Sequence, residues 1–252
     1  MGVALVSAGT ASAQPITNLG TAVLNAGNGA VEVSGNGVTT GCIDWFNSLM
    51  GPMVCQPPGT TGSFSVQASS TAPFMVGQTG LIQDLNFNPP LPLLDFITID
   101  LGGGVTGHFD LKDLRFNGNT AIGDCSSNAP GVTCTPANSP FQITNGLANS
   151  NGQVDSVSIS LTTDLYGYTG TSGVNYNQAN KYTGIFTTQG AVTGGNNIAA
   201  ILATISQGGF VEASWSATLA PVITQTPEPG TYVLAGLSLI SIGLVRRRMR
   251  KA

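Results

Sequence analysis

Residues Gly209 to Leu219 read G-F-V-E-A-S-W-S-A-T-L. Val211, Ala213, Trp215, Ala217 and Leu219 fall on one side of an extended chain. Glu212, Ser214, Ser216 and Thr218 fall on the other. Side chains alternate faces in a strand, so this stretch predicts a half-buried antiparallel strand. Val154 to Leu161, V-D-S-V-S-I-S-L, repeats the pattern, with Val157, Ile159 and Leu161 opposite three serines. The periodicity is two, not the 3.6 of a helix.

Working outward, further strands are expected at Ser63–Ala68, Leu94–Leu101, Gly107–Phe116 and Lys181–Thr188. Ile198–Ser206, I-A-A-I-L-A-T-I-S, fits either a strand or a short helix. Asn-Gly and Gly-Asn pairs at Asn28, Asn36, Asn117, Asn145 and Asn151 mark tight turns. No fixed repeat length runs through the chain, which disfavours a solenoid. The expected architecture is all-β: an antiparallel β-sandwich or jelly-roll body over 14–225.

Composition narrows the function classes. Of 252 residues only 8% are charged, while 41% are hydrophobic, enough for a core. The body holds three cations (Lys112, Arg115, Lys181) against eleven acids, a formal balance of 3 − 11 = −8. Nucleic-acid binding needs clustered Lys and Arg, so it is excluded as a partner class. Cys42, Cys55, Cys125 and Cys134 form neither a C-x-x-C motif nor a His-containing set with zinc spacing. They predict disulfides, with the local pairing 42–55 and 125–134 expected among three connectivities. Residues 1–13 end in A-S-A before Gln14, a signal-peptide cleavage pattern without its basic start. They are read as a partial signal peptide.

Catalytic signals are weak, and the chain is not expected to be an enzyme. His108 is the only histidine, and no G-x-S-x-G elbow accompanies it. In a strand it shares the solvent face with Asp110 and Lys112. Leu101–Val105, L-G-G-G-V, reads as a turn rather than an oxyanion loop. Asp84, Asp95, Asp100, Asp110, Asp113 and Asp124 form an acidic region. Odd spacing sends Asp95/Asp100 and Asp110/Asp113 to opposite faces, and no D-x-D-x-D-G loop is present, so these are read as surface acids at strand ends. No metal site and no cofactor are expected. Trp45-Phe46 and the tyrosines Tyr166, Tyr168, Tyr176 and Tyr182 are read as a core tryptophan and loop tyrosines, with sugar stacking as the functional alternative.

The C-terminal stretch 226–252 is T-P-E-P-G-T-Y-V-L-A-G-L-S-L-I-S-I-G-L-V-R-R-R-M-R-K-A. Pro227, Glu228 and Pro229 make a stiff strip that stops a helix from extending outward. Residues 231–245 are 15 uncharged, mostly apolar positions, read as a short transmembrane helix. As a helix they span about 22 Å, against a bilayer core of about 30 Å. Arg246, Arg247, Arg248, Arg250 and Lys251 form a basic anchor that stays cytoplasmic and leaves the body across the membrane. Motif, apolar run and basic end occur in that order at the terminus. The stretch resembles the PEP-CTERM tail, the sorting signal of bacterial exosortase substrates. It has Thr226 where Val is usual and Gly230 where Ser is usual. The resemblance implies an exosortase-type processing enzyme and a membrane as partners, in bacteria that make exopolysaccharide. The expected role is structural or adhesive, in an exopolysaccharide matrix or biofilm, after transient membrane anchoring. The alternative is a carbohydrate-binding module, calcium-dependent or not, or an ice-binding surface module.

Overall fold

The computed structural model describes residues 14–26, 30–35, 41–46, 61–86, 90–115, 125–136, 139–170, 176, 179–189 and 195–223. The chain divides into two units, Met1–Val222 and Ile223–Ala252. The expected signal peptide 1–13 and sorting tail 226–252, with its helix 231–245, lie outside the described residues.

Among the described residues the body has fourteen strands and one helix. In chain order they are β1 (Gln14–Pro15), β2 (Ala22–Asn25), β3 (Ala30–Gly35), β4 (Gly41–Phe46), β5 (Thr61–Val66), β6 (Thr79–Gln83), β7 (Leu85–Asn86) and β8 (Leu93–Gly102). There follow β9 (Val105–Leu114), β10 (Thr133–Cys134), β11 (Phe141–Asn145), β12 (Val157–Thr169), β13 (Asn180–Gln189), α1 (Ile198–Ser206) and β14 (Phe210–Pro221). The class is all-β, as expected, but the architecture corrects the sandwich. β2, β5, β6, β8, β9, β12, β13 and β14 pair in that order, and β14 pairs again with β2. This is a closed barrel of eight strands, antiparallel at every step. Closure removes the sheet edges that a sandwich leaves open.

Two long strands, β12 and β14, carry a second layer beyond the barrel. The last residues of β12 pair with β9, but Val157–Leu161 pair with β11, which pairs with β10. β14 pairs with β2 through Ser216–Leu219 and with β3 through Phe210–Ala213, and β3 continues to β4 and β7. α1 packs on β14, β3 and β11. It buries Ile198, Ile201 and Ile205, a helical stripe. Asn197 caps it by accepting from the Ala200 amide at 3.0 Å, the signal that selects helix over strand here.

Inward residues are apolar and aromatic. Trp45 packs edge-on against Trp215 at 4.8 Å, and Phe109 against Tyr182 at 5.2 Å. Three strand glycines make room for these rings. A Cβ at Gly167 would lie 2.8 Å from the Tyr182 ring and 2.9 Å from the Phe109 ring. Gly80 abuts the Phe64 ring, and Gly184 abuts Phe186. Small and large residues thus alternate to fill the lumen. Outward positions on β12 to β14 are mostly polar and include Ser158, Ser160, Thr162, Asp164, Thr183, Thr187, Ser214, Ser216 and Thr218, with Ile185 an apolar exception. Apolar inside and polar outside is the reverse of a lipid-embedded barrel. Among the described residues no helix is long and apolar enough to cross a membrane.

Candidate functional site

The barrel wall over β8, β9 and β12 carries a polar and aromatic cluster. His108, Asp110 and Lys112 share the outer face of β9, as their spacing predicts, and Tyr166 and Tyr168 share that of β12. Tyr168 sits opposite His108, and the two rings stack at 5.4 Å with 13° between planes. A β-bulge in β8 turns Asp95 to φ +51°, a conformation most L residues avoid. This places its carboxylate 2.8 Å from His108 Nδ1. A carboxylate only accepts, so Nδ1 donates in this contact.

Asp110 organises the cluster. It is fully buried, with 0% exposure, although it points outward. Its carboxylate accepts from Tyr168 Oη at 3.0 Å, Tyr176 Oη at 2.9 Å and the Asp95 amide at 2.7 Å. Burial pushes its pKa up, opposed by these three hydrogen bonds. Burial, and then the bond to Asp110, pushes the Tyr176 phenol upward in turn. Tyr176 stacks on Tyr166 at 4.2 Å, and Lys112 Nζ lies 5.5 Å from the Tyr166 centroid. Arg115 pairs with Asp164 at 2.6 Å.

A second cluster was not legible in the sequence. Glu212, Glu32 and Asp44 lie in register across β14, β3 and β4. Asp84, just before β7, hydrogen-bonds Asp44 and accepts from the Trp45 amide at 3.0 Å. Four carboxyls thus cross four chain segments in one row, and Glu32 is only 2% exposed. Burial first, then Asp44 and Glu212, pushes Glu32 up to about 7. Asp44 and Asp84 share a hydrogen bond, and burial raises both. Among the described residues no group of three or more His, Cys, Asp or Glu side chains is placed to hold a metal ion.

These clusters correct two expectations. Asp84 and Asp110 are buried, not surface acids at strand ends, while Asp100 is exposed. Opposite faces did not keep the acidic region apart, because the bulge brings Asp95 to Asp110. Tyr166, Tyr168 and Tyr182 lie on strands rather than loops, whereas Trp45 is a core residue. Asp124 lies outside the described residues.

Cys125 and Cys134 form a disulfide with Cα atoms 5.4 Å apart. Cys42 is also disulfide-bonded, and Cys55 lies outside the described residues. The 125–134 loop is held by the buried Asn145, whose amide donates to Ser127 O and Ala129 O at 3.2 and 3.0 Å. Its oxygen accepts from the Ile198 amide of α1 at 2.9 Å. A cavity of about 20 Å³, lined by Val31, Ile43, Trp45, Phe141 and Trp215 among others, lies between the outer layers. That is room for about one water molecule. It borders Trp45, whose Nε1 is buried without a hydrogen-bond partner.

Fold and clusters together define a filled antiparallel barrel with a polar and aromatic patch on its outer wall. At the chain's end, residues 225–250 match the PEP-CTERM protein-sorting motif. The chain therefore carries a PEP-CTERM sorting tail, which includes Pro227, Glu228 and Pro229 and the arginines of the basic anchor. This motif implies export, processing by an exosortase and a membrane-associated C-terminal tail. No curated protein and no solved structure matches the chain.

Proposed function

We propose that this exported protein is a structural or adhesive component of an extracellular polysaccharide matrix or biofilm. One observation carries the reading. Gln142, Ser160, Thr187, Ser216, Asn25, Ser65 and Thr79 are successive cross-strand partners around the barrel wall. They form a row of neutral hydroxyl and amide groups, about 4.8 Å apart from strand to strand. Such groups both donate and accept, which suits hydroxyl-rich sugars. The filled lumen supports contact through the wall. The stacked Tyr166–Tyr176 pair beside His108 and Lys112 favours a second reading, a discrete carbohydrate-binding site.

Retention of the protein on immobilised exopolysaccharide from its own host tests both. Binding weakened in Thr187→Val/Ser216→Ala supports the hydroxyl row. Binding weakened instead in Tyr166→Ala supports the discrete site, and loss in EGTA makes that site calcium-dependent. A protein that is not retained on that matrix overturns both readings.

A further inference from the structure

We propose that the barrel end from which the sorting tail leaves rests on the lipid surface while the tail holds the protein there. The topology fixes which end this is. β14 finishes beside the start of β2, and β5 finishes there too. The β8–β9 turn, the end of β12 and the start of β13 close the same rim.

The rim displays apolar side chains. Met75 and Val76, in the β5–β6 connection, are 61% and 66% exposed. Leu19, Val105 and Val222 are exposed beside them in the fold, each at the same end. These loops are tied down. The Thr21 amide donates to Thr71 Oγ1 at 2.8 Å, the Met75 amide to Gln78 Oε1 at 2.8 Å, and the Gly77 amide to Val66 O at 3.0 Å. Beneath them Phe74 is buried against Phe109 and Tyr182. The exposed Met75 and Val76 are therefore held outward on a fixed loop above a packed floor.

Charge points the same way. The described connections 16–21, 67–78 and 101–106, with 222–223, contain no Asp, Glu, Lys, Arg or His, and one acid and one base, Asp100 and Lys181, are exposed at the adjoining strand ends. A surface with so few charges approaches lipid at little cost of dehydrating ions. Chain length then brings the two together. Thr231, where the apolar run begins, lies nine positions beyond Val222. Fully extended, that linker reaches roughly 30 Å. The partner that fits a neutral, apolar rim on so short a tether is the bilayer to which the tail belongs.

The test uses the full chain in phosphatidylcholine–phosphatidylglycerol vesicles, separated from free protein by flotation. No described cysteine is free, so an environment-sensitive fluorophore is placed through Val76→Cys, and separately through Leu147→Cys. Leu147 is 82% exposed in the β11–β12 connection, at the opposite end. The expected result is blue-shifted emission, quenching by brominated lipid and several-fold weaker quenching by aqueous iodide at position 76 than at 147. Equal behaviour at the two positions, or a chain that does not float with vesicles, overturns the proposal.

Discussion

Replacing Glu32 by Gln should make the protein more stable at neutral pH and remove part of its pH dependence. Glu32 stands between Glu212 and Asp44 in the carboxyl row, is 2% exposed, and is pushed from 4.5 up to about 7. A carboxyl with a raised folded-state value binds its proton more tightly when folded. Its contribution is complete below about 4.5 and is lost as pH rises towards 7. At 1.36 kcal/mol per unit, the loss from this one group is up to about 3 kcal/mol. Asp44, Asp84 and Asp110 are raised too, so they act in the same direction. Gln keeps the neutral shape and has no proton to lose. Urea unfolding at pH 4, 6 and 8, with disulfides intact, reads the effect. Wild type should lose stability across that range, the variant should lose less, and the two should converge at pH 4. A wild-type midpoint that is flat or rises with pH would refute the reasoning, as would variant and wild-type curves that run parallel.

Tyr168→Phe removes a donor from the fully buried Asp110 and should cost about 1–3 kcal/mol in urea unfolding. Cys125→Ser/Cys134→Ser opens a cross-link with a sequence separation of 9. Loop-closure entropy puts its stabilisation at about 2–3 kcal/mol, measured as a lower thermal midpoint at pH 7. Asn145→Ala breaks the link between the disulfide loop and α1 and leaves the Ile198 amide without its acceptor. It should destabilise by about 2–3 kcal/mol and speed amide exchange in the first turn of α1.

Alternation alone located the start of β12 and most of β13 and β14, because their inner faces are apolar and their outer faces carry mainly Ser and Thr. It could not show that β12 and β14 each change partner along one edge. That depends on register between residues far apart in sequence, such as Leu219 with Ala22 and Ala213 with Val31. Closure into a barrel follows from those registers, so a sandwich and a barrel read alike. β2 and β3 are short and lie among Gly and Asn, which hid them among turns. Gly80, Gly167 and Gly184 read as weak strand positions, although each is space for a ring. The site divides similarly. His108, Asp110 and Lys112 share a face by simple counting, whereas Asp95 joins them only through a bulge. Glu32, Asp44 and Glu212 occupy the polar positions of V-E-V, I-D-W and V-E-A, the pattern of solvent-facing acids. Their burial arises when several strands align them in one row.

This burial changes how the body's charge should be understood. The formal balance of 3 − 11 = −8 treats every carboxyl as an exposed anion. Glu32, Asp44, Asp84 and Asp110 are buried and hold their protons more strongly than free acids. Asp164 is engaged by Arg115, and Lys112 lies over an aromatic ring. Part of the formal charge is thus withdrawn from the outer surface, where Asp100, Asp113 and Asp155 stay exposed among many Ser, Thr, Asn and Gln. Contacts made through such groups depend little on salt, because the Debye length governs only interactions between charges. Such a wall would suit a hydrated, uncharged polymer under the proposed matrix reading, with five of the eight basic residues set apart in the tail.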